Sequence, residues 1–251
     1  MKVAVAGGTG AVGRHVVAAL AARGDEPVVL ARSTGVDLVT GSGLDAALDG
    51  CDAVVDVATL HTMRAATAVA WFERATGGLV AAARRAGVGH VVLLSIVGVE
   101  DVDLGYYVGK RAQERVVRGG DVPWTVVRAT QFHEFPGQLL AAQRGPVAVV
   151  PSMLSSTVAA SEVGTHLADV VRSGAQGMAT PVRGPQTHRM TELARRLVAA
   201  TGGRRLVVPL PAPGRTGRGL RSGALVPGEP CVRGVQTFEE HLAGLTARVP
   251  T

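Results

Sequence analysis

The sequence predicts an α/β fold, a doubly wound parallel sheet carrying a small carboxyl-terminal part. Three observations carry this prediction. Val3 to Ala6 is a strand-type apolar run that passes directly into three glycines at a spacing of three, Gly7, Gly10 and Gly13, and then into helical recurrence at Val16, Val17 and Leu20. Short apolar runs then alternate with longer helical patterns up to about residue 130, the pattern of βαβ units. Right-handed crossovers between such units give parallel strands in the order 3-2-1-4-5-6.

The first strand, turn and helix also carry chemistry. Gly7 lets the chain leave the strand in a tight turn, Gly10 has no Cβ to keep a phosphate from the backbone, and Gly13 lets the helix pack closely on the strand. The helix running from Arg14 to Ala22 then offers its unpaired N–H groups and the positive end of its dipole to an anion. Gly7, Thr9, Gly10, Ala11, Val12 and Gly13 are therefore expected to bind the pyrophosphate of a dinucleotide. Pro27 to Ala31 reads as the second strand and ends at Arg32-Ser33. Folds that bind NAD place an acid here, about 20 residues past the glycines, to hold the ribose 2′-hydroxyl. This chain has Arg32 there, a donor suited to a 2′-phosphate, with Ser33 beside it, so the expected cofactor is NADP(H).

Val36 to Val39 is expected to be a short third strand, and Leu44 to Leu48 a short helix. Ala53 to Val57 reads as a buried parallel strand, followed by Ala58-Thr59, which should pass under a ribose of the cofactor. Residues 63 to 86 read as one long helix with Gly77-Gly78 as a candidate break. His90 to Leu94 and Trp124 to Val127 are the next strands, the latter ending at Arg128. Beyond residue 130 helical patterns cover Phe135–Gln143, Ser161–Arg172, Thr191–Ala200 and Thr237–Ala247. The last two start on threonine, a good N-cap, and Thr237 has Glu240 three residues on, a capping box. Pro209 to Pro230, with five prolines and five glycines, reads as a loop too rich in breakers to form an element. Residues 1–130 are thus expected to form the dinucleotide-binding core, and 131–251 a smaller region on the substrate side, packed on it as one unit.

Composition narrows the function classes. The 251 residues are 47% hydrophobic but only 3% aromatic, so the core is mostly Val, Leu and Ala. No apolar run approaches the roughly 18 residues of a membrane span. Cys51 and Cys231 are the only cysteines, which suits a reducing compartment. Because the first strand starts at once, with no room for a signal peptide, a cytoplasmic location is expected. Net charge is +6 and the isoelectric point about 10.3, almost all of it from arginine. The arginines are scattered and lack interleaved aromatics, so they read as a solvated surface suited to an anionic cofactor rather than as a nucleic-acid site. The histidines show no metal-ligand spacing with Cys or acids.

Open α/β sheets bind ligands at the carboxyl ends of their strands. Ser95 follows the strand His90–Leu94; Tyr106 stands eleven residues later and Lys110 four beyond that. Four residues apart on a helix, Tyr106 and Lys110 share a face. A cation within about 4–6 Å would lower the tyrosine pKa from its ordinary value near 10. Gln131, Phe132 and His133 follow the strand ending at Arg128, where substrate is expected, and His133 suits either proton transfer or a structural role.

Ser95, Tyr106-x-x-x-Lys110 and the G-x-x-G-x-x-G turn resemble the short-chain dehydrogenase/reductase superfamily. Gln113-Glu114-Arg-Val-Val and Val122-Pro-Trp-Thr-Val-Val-Arg-Ala-Thr-Gln-Phe132 resemble its atypical, extended, NmrA-like branch. The resemblance runs over roughly residues 1 to 175 and implies a Rossmann core. It also implies that Tyr106 gives a proton to a carbonyl oxygen as hydride arrives, that Lys110 holds the nicotinamide ribose and lowers the tyrosine pKa, and that Ser95 orients the substrate oxygen. Tyr107 is the adjacent alternative to Tyr106. The expected activity is NADPH-dependent reduction of a carbonyl or a conjugated, quinone-like small molecule, by a monomer or homodimer, with neither nucleic acid nor membrane as partner. Two other readings stand beside it, a dinucleotide-sensing regulator without chemistry and a sugar-nucleotide epimerase or dehydratase.

Overall fold

The structure is a computed structural model that describes residues 1–247. These residues form two compact units, Met1–Arg128 with Ala160–Thr180, and Ala129–Ala159 with the described residues from Pro181 onward.

In the first unit the chain runs β1 (Lys2–Ala6), α1 (Gly13–Ala22), β2 (Glu26–Leu30), α2 (Leu44–Leu48), β3 (Ala53–Asp56), α3 (Ala65–Arg85), β4 (His90–Ile96), α4 (Gly105–Arg118) and β5 (Trp124–Ala129). The strand order is β2-β1-β3-β4-β5, with parallel pairing of β1 to β2, β1 to β3 and β3 to β4. This is the α/β Rossmann-type sheet the sequence predicts. α6 (Ala160–Ser173) and β8 (Gly177–Met178) belong to the same unit, β8 lying parallel to β5. α6 lies close on α1 because Gly164 has no side chain; a Cβ there would come within 2.6 Å of His15 Cβ.

One strand of the expected order is absent. Val36 to Val39 is a turn, not a third strand. Asp37 Oδ1 accepts hydrogen bonds from the Val39 and Thr40 amides at 2.8 and 3.0 Å, and Gly35, Gly41 and Gly43 all have positive φ. An aspartate that caps its own following amides outcompetes the weak β preference of three apolar residues. β2 is therefore the edge strand, where Pro27, having no N–H to donate, is at home. α3 runs through Gly77-Gly78 without a break, although the two glycines lower its helix propensity.

The second unit contains α5 (Phe135–Ala141), β6 (Val147–Pro151), β7 (Leu154–Ser155), β9 (Val182–Arg183), β10 (His188–Arg189), α7 (Met190–Ala200), β11 (Leu206–Leu210), α8 (Gly214–Ser222), β12 (Val232–Arg233) and α9 (Phe238–Thr246). β6 pairs with β11, β7 with β10 and β9 with β12. The stretch Pro209 to Pro230 is not a plain loop, since it holds the end of β11 and all of α8. Its five prolines all lie outside the helix: Pro213 is the N-cap and Gly223, at φ +93°, the left-handed C-cap. Within the helix Gly217 is required, as a Cβ would lie 1.6 Å from Ala212 O. Thr191 is not an N-cap; Arg189 occupies that position and Thr191 is buried inside α7.

Thr237 is the N-cap of α9 with the full capping box, its Oγ1 accepting from Glu240 N at 3.2 Å and Glu240 Oε2 accepting from Thr237 N at 2.8 Å. Thr237→Ala removes the first of these bonds. It is expected to cost about 1 kcal/mol and to lower Tm by roughly 2–4 °C; a thermal melt with unchanged Tm would show that α9 does not depend on its cap.

Candidate active site

Four short segments of the first unit make up the candidate site: the glycine turn, the end of β2, Ala58-Thr59 after β3, and the start of α4. The turn closes through Gly8 N to Val5 O at 3.2 Å and Gly10 N to Gly7 O at 2.9 Å, with Gly7 at φ +78°. Its three glycines have different reasons for being glycine. A Cβ on Gly7 would lie 2.9 Å from Ala58 Cα, and one on Gly13 only 2.1 Å from Gly7 O and 2.7 Å from Gly8 Cα. Gly13 thus serves the closure of the turn itself rather than the contact of helix and strand. A Cβ on Gly10 would meet only Gly7 O, at 3.1 Å, so the outward side of this residue is open. Thr9, Gly10 and Ala11 are exposed, and Val12 is the buried N-cap of α1. α1 has no side-chain cap and no acid in its first turn; the Arg14 and His15 amides bond to Gly10 O and Val12 O, and the positive end of the dipole is left to an external anion. The open, uncapped turn fits a dinucleotide pyrophosphate.

At the end of β2, residues 32–34 form a single 3₁₀ turn. Thr34 Oγ1 pins it by donating to Val29 O at 2.8 Å. Arg32 and Ser33 are both exposed; among the described residues the Arg32 side chain makes no hydrogen bond or ion pair, though its charge helps hold the Asp37 carboxyl below its usual range. No acid stands at this strand end.

Ala58-Thr59 joins the turn to α4. Ala58 lies against Gly7, and Thr59 Oγ1 shares a hydrogen bond of 2.7 Å with Tyr106 Oη. Glycines make the approach possible: a Cβ on Gly105 would sit 1.9 Å from Met63 O, and one on Gly109 2.6 Å from Ala68 Cβ. α4 therefore packs close on α3, with Tyr106 against Phe72 at 5.9 Å between ring centroids. One turn on, Lys110 is buried. Its Nζ donates to Leu94 O at 2.7 Å and to Gln113 Oε1, and stands 5.1 Å over the Phe72 ring. Burial pulls the Lys110 ammonium down from its usual range to about 8, against the opposing charges of Asp56 and Glu114.

The electrostatics correct one expectation. The Tyr106 hydroxyl is not lowered by Lys110. Burial raises it, the hydrogen bond from Thr59 opposes the rise and the Asp56 charge adds to it. The Lys110 ammonium is turned to Leu94 O and Gln113 rather than to the phenol, so desolvation prevails.

Ser95 is buried and donates to Glu114 Oε1 at 2.5 Å. Glu114 is in turn clasped by Arg128 through two bonds of 2.9 and 2.6 Å, and Arg128 reaches Glu100 at 3.1 Å. Among the described residues no hydrogen bond joins Ser95 to Tyr106 or Lys110; its hydroxyl belongs to this internal ion-pair network. Gln131, Phe132 and His133 lie in the second unit. Gln131 Oε1 accepts from Ser155 Oγ at 2.6 Å, and Phe132 bridges to Val158. His133 is 1% exposed, with Nδ1 bonded to Thr157 Oγ1 at 2.9 Å and Nε2 to Gln236 O at 3.0 Å. Both ring nitrogens are engaged, which favours its structural role over proton transfer.

The sequence reading missed Asp56, Thr76 and Gln113 as members of the site. Asp56 ends β3 with 1% exposure and accepts three hydrogen bonds there, including those from Thr76 and Gln113. The available signal was an acid in the apolar run Ala53 to Val57, next to Ala58-Thr59. Among the described residues no group of three or more His, Cys, Asp or Glu could hold a metal ion, and no helix is long and apolar enough to cross a membrane.

Comparison with known proteins adds three kinds of likeness. Residues 7–173 match a family model described as NAD(P)H-binding. Over 142 residues the chain is 37% identical to (4-alkanoyl-5-oxo-2,5-dihydrofuran-3-yl)methyl phosphate reductase of Streptomyces griseus subsp. griseus; this covers 51% of the chain and 47% of the relative, about half its length. Over 255 residues it is 30% identical to ceramide reductase of Caulobacter vibrioides, covering 89% of the chain and 77% of the relative. In fold it is similar to triphenylmethane reductase of Citrobacter sp. complexed with NADP(H), with a TM-score of 0.71 at 17% identity, covering 97% and 99% of the two chains.

Proposed function

Because the chain belongs to the NAD(P)H-binding family, we propose that it is an NADPH-dependent reductase of a carbonyl, or of a conjugated or quinone-like small molecule. One observation carries the reading: Gly7, Ala58, Thr59 and Tyr106 form a continuous line of contact from the open glycine turn to a half-buried phenol, with Lys110 one helical turn beyond. The reductase names of the two relatives support it.

When bound, the reduced nicotinamide supplies the hydride. Tyr106 Oη holds the proton that a carbonyl oxygen needs as it becomes an alkoxide, and burial keeps that proton on the phenol at neutral pH. Thr59 Oγ1 orients the phenol. Lys110 is assigned to the ribose edge, and the amides of the glycine turn to the pyrophosphate. Arg32 and the adjoining Ser33 would hold the 2′-phosphate of the adenosine. Gln131 and Phe132 follow the carboxyl end of β5, the kind of strand end at which open α/β sheets bind ligands, and are proposed as substrate-side residues, with His133 in a structural role beside them through Thr157 and Gln236. A panel of carbonyl and quinone compounds, read by NADPH oxidation, tests the reading; no turnover on any of them, with tight NADPH binding, would replace it by the sensor. That second reading is favoured by one observation, that the Ser95 and Tyr106 hydroxyls are both engaged within the protein.

Preference for NADPH over NADH is assigned to Arg32, an exposed planar donor whose side chain makes no hydrogen bond or ion pair among the described residues, at a strand end that lacks the acid used for a ribose diol. Arg32→Asp is expected to reverse the preference. Fluorescence titration of both cofactors decides it, and equal affinities in the unmodified protein would reject the assignment.

A further inference from the structure

Asp56 is the least explained charge in the first unit. It stands at the last position of β3, 1% exposed, and among the described residues it has no ion pair of its own. Three donors converge on it: Ala58 N on Oδ1 at 3.0 Å, and Thr76 Oγ1 and Gln113 Nε2 on Oδ2, each at 2.9 Å. Gln113 uses its other end, Oε1, to accept from Lys110 Nζ. We infer that Asp56 is a positioning residue of the site: through the Gln113 amide it holds Lys110, and through the Ala58 N–H it holds the turn that carries Thr59. The inference rests on the reductase reading for its consequence in catalysis, but not for its structural content.

The chemistry of the three partners supports it. Burial raises the Asp56 carboxyl, and the Lys110 charge and the three donors oppose that rise; because each of the three donates, the ionised carboxylate is the form that satisfies them. An amide placed between a carboxylate and an ammonium has one satisfied orientation, nitrogen to the acid and oxygen to the base. Asp56 therefore fixes which way Gln113 points, and Gln113 gives Lys110 its acceptor. Two of the three contacts of the Asp56 carboxylate thus lead to the pair Tyr106 and Lys110, one through Ala58 and the adjoining Thr59 and one through Gln113.

Charge acts in the same direction. The groups facing Lys110 are the Asp56 carboxylate from β3, the Glu114 carboxylate from α4, the neutral Phe72 ring from α3 and the Leu94 carbonyl from β4. Glu114 is already paired with Arg128. Asp56 is then the acid whose charge is left to favour the lysine ammonium against burial, and removing it should let Lys110 lose its proton at lower pH.

The chain has only two lysines, Lys2 and Lys110, which makes a direct measurement possible. In a Lys2→Arg background with ¹³Cε-labelled lysine, Lys110 is the only labelled residue, and its titration can be followed by NMR in the protein without cofactor. The expected midpoint is about 8, and Asp56→Asn should lower it by about one unit. Where Asp56→Asn does not fold, Gln113→Met keeps the Asp56 charge and similar volume but cuts the bridge, and should move the midpoint in the same direction. An unchanged midpoint in either folded variant overturns the inference. If the panel yields a substrate, the alkaline limb of kcat/KM should move to lower pH in step with the NMR midpoint; a uniform loss of rate with the limb in place would mean that Asp56 only supports the fold. A lowered midpoint in a protein that turns over nothing would sustain the Asp56 assignment while refuting the reductase.

Discussion

Replacing Tyr106 by Phe is expected to cut turnover on a carbonyl substrate by a factor on the order of 10² to 10⁴, the span of a positioned general acid, while leaving NADPH affinity nearly unchanged. The phenyl ring keeps the contacts with Phe72 and Tyr107, at 5.9 and 6.3 Å between centroids, so the variant removes a hydroxyl and its bond to Thr59 but little packing. Because burial raises the Tyr106 hydroxyl instead of lowering it, the residue acts as an acid throughout the neutral range, and loss of the phenol proton cannot limit the rate near pH 7. The alkaline limb should instead follow Lys110, the group that titrates at about 8: activity is full below that pH and falls as the ammonium is lost above it. Tyr107→Phe is the control. If that change is the damaging one, the register of Tyr106 and Lys110 is wrong by one residue. If neither tyrosine matters while Lys110→Ala abolishes turnover, the proton comes from water or from the substrate itself.

The second large effect separates two glycines that look alike in sequence. Gly10→Val should abolish dinucleotide binding with the fold retained. Its Cβ has a single close neighbour in the protein, Gly7 O at 3.1 Å, and its branches would fill the open approach to the first turn of α1. Gly13→Ala adds one carbon where there is no room, 2.1 Å from Gly7 O and 2.7 Å from Gly8 Cα. Both obstacles are backbone, so the turn itself must open. The expected cost is on the order of 3 kcal/mol, with a fall in Tm of roughly 10 °C, and binding is lost as a consequence. Calorimetric melts and NADPH titrations of the two variants distinguish the roles. Normal NADPH binding by Gly10→Val would mean that the turn is only structural, and an unshifted Tm for Gly13→Ala would mean that the turn is more plastic than its contacts allow.

Much of this architecture was legible in the sequence because its causes are local. Three glycines between a strand and a helix can satisfy few geometries, and the observed turn is one of them. Tyr106 and Lys110 share a helix face by periodicity alone. Thr237 and Glu240 sit three residues apart, and that spacing suffices for a capping box. Even Pro27 carried a local message, that β2 has nothing outside it, which the expected strand order overlooked.

What the sequence could not decide depended on which hydrogen-bond partners and how much burial each segment found in the packed chain. Whether Val36 to Val39 became a strand turned on an aspartate capping its own neighbours with no strand waiting to pair. Whether the proline- and glycine-rich stretch formed α8 turned on Leu220 finding burial and on Gly217 passing close to Ala212. The direction of the Tyr106 shift was misjudged because spacing places a lysine near a tyrosine but does not say where its ammonium points; only the packed structure, with Leu94 O and Gln113 as competing acceptors, turns it away. Asp56 shows the same limit most clearly. In sequence it is one acid in an apolar run, and its three donors come from residues 58, 76 and 113. The sequence by itself determined the sheet, the glycine turn and the helix that carries Tyr106 and Lys110. The tertiary structure decided which charges face one another in the buried interior, because there desolvation and hydrogen-bond partners, which no local pattern encodes, set the protonation and direction of every polar group.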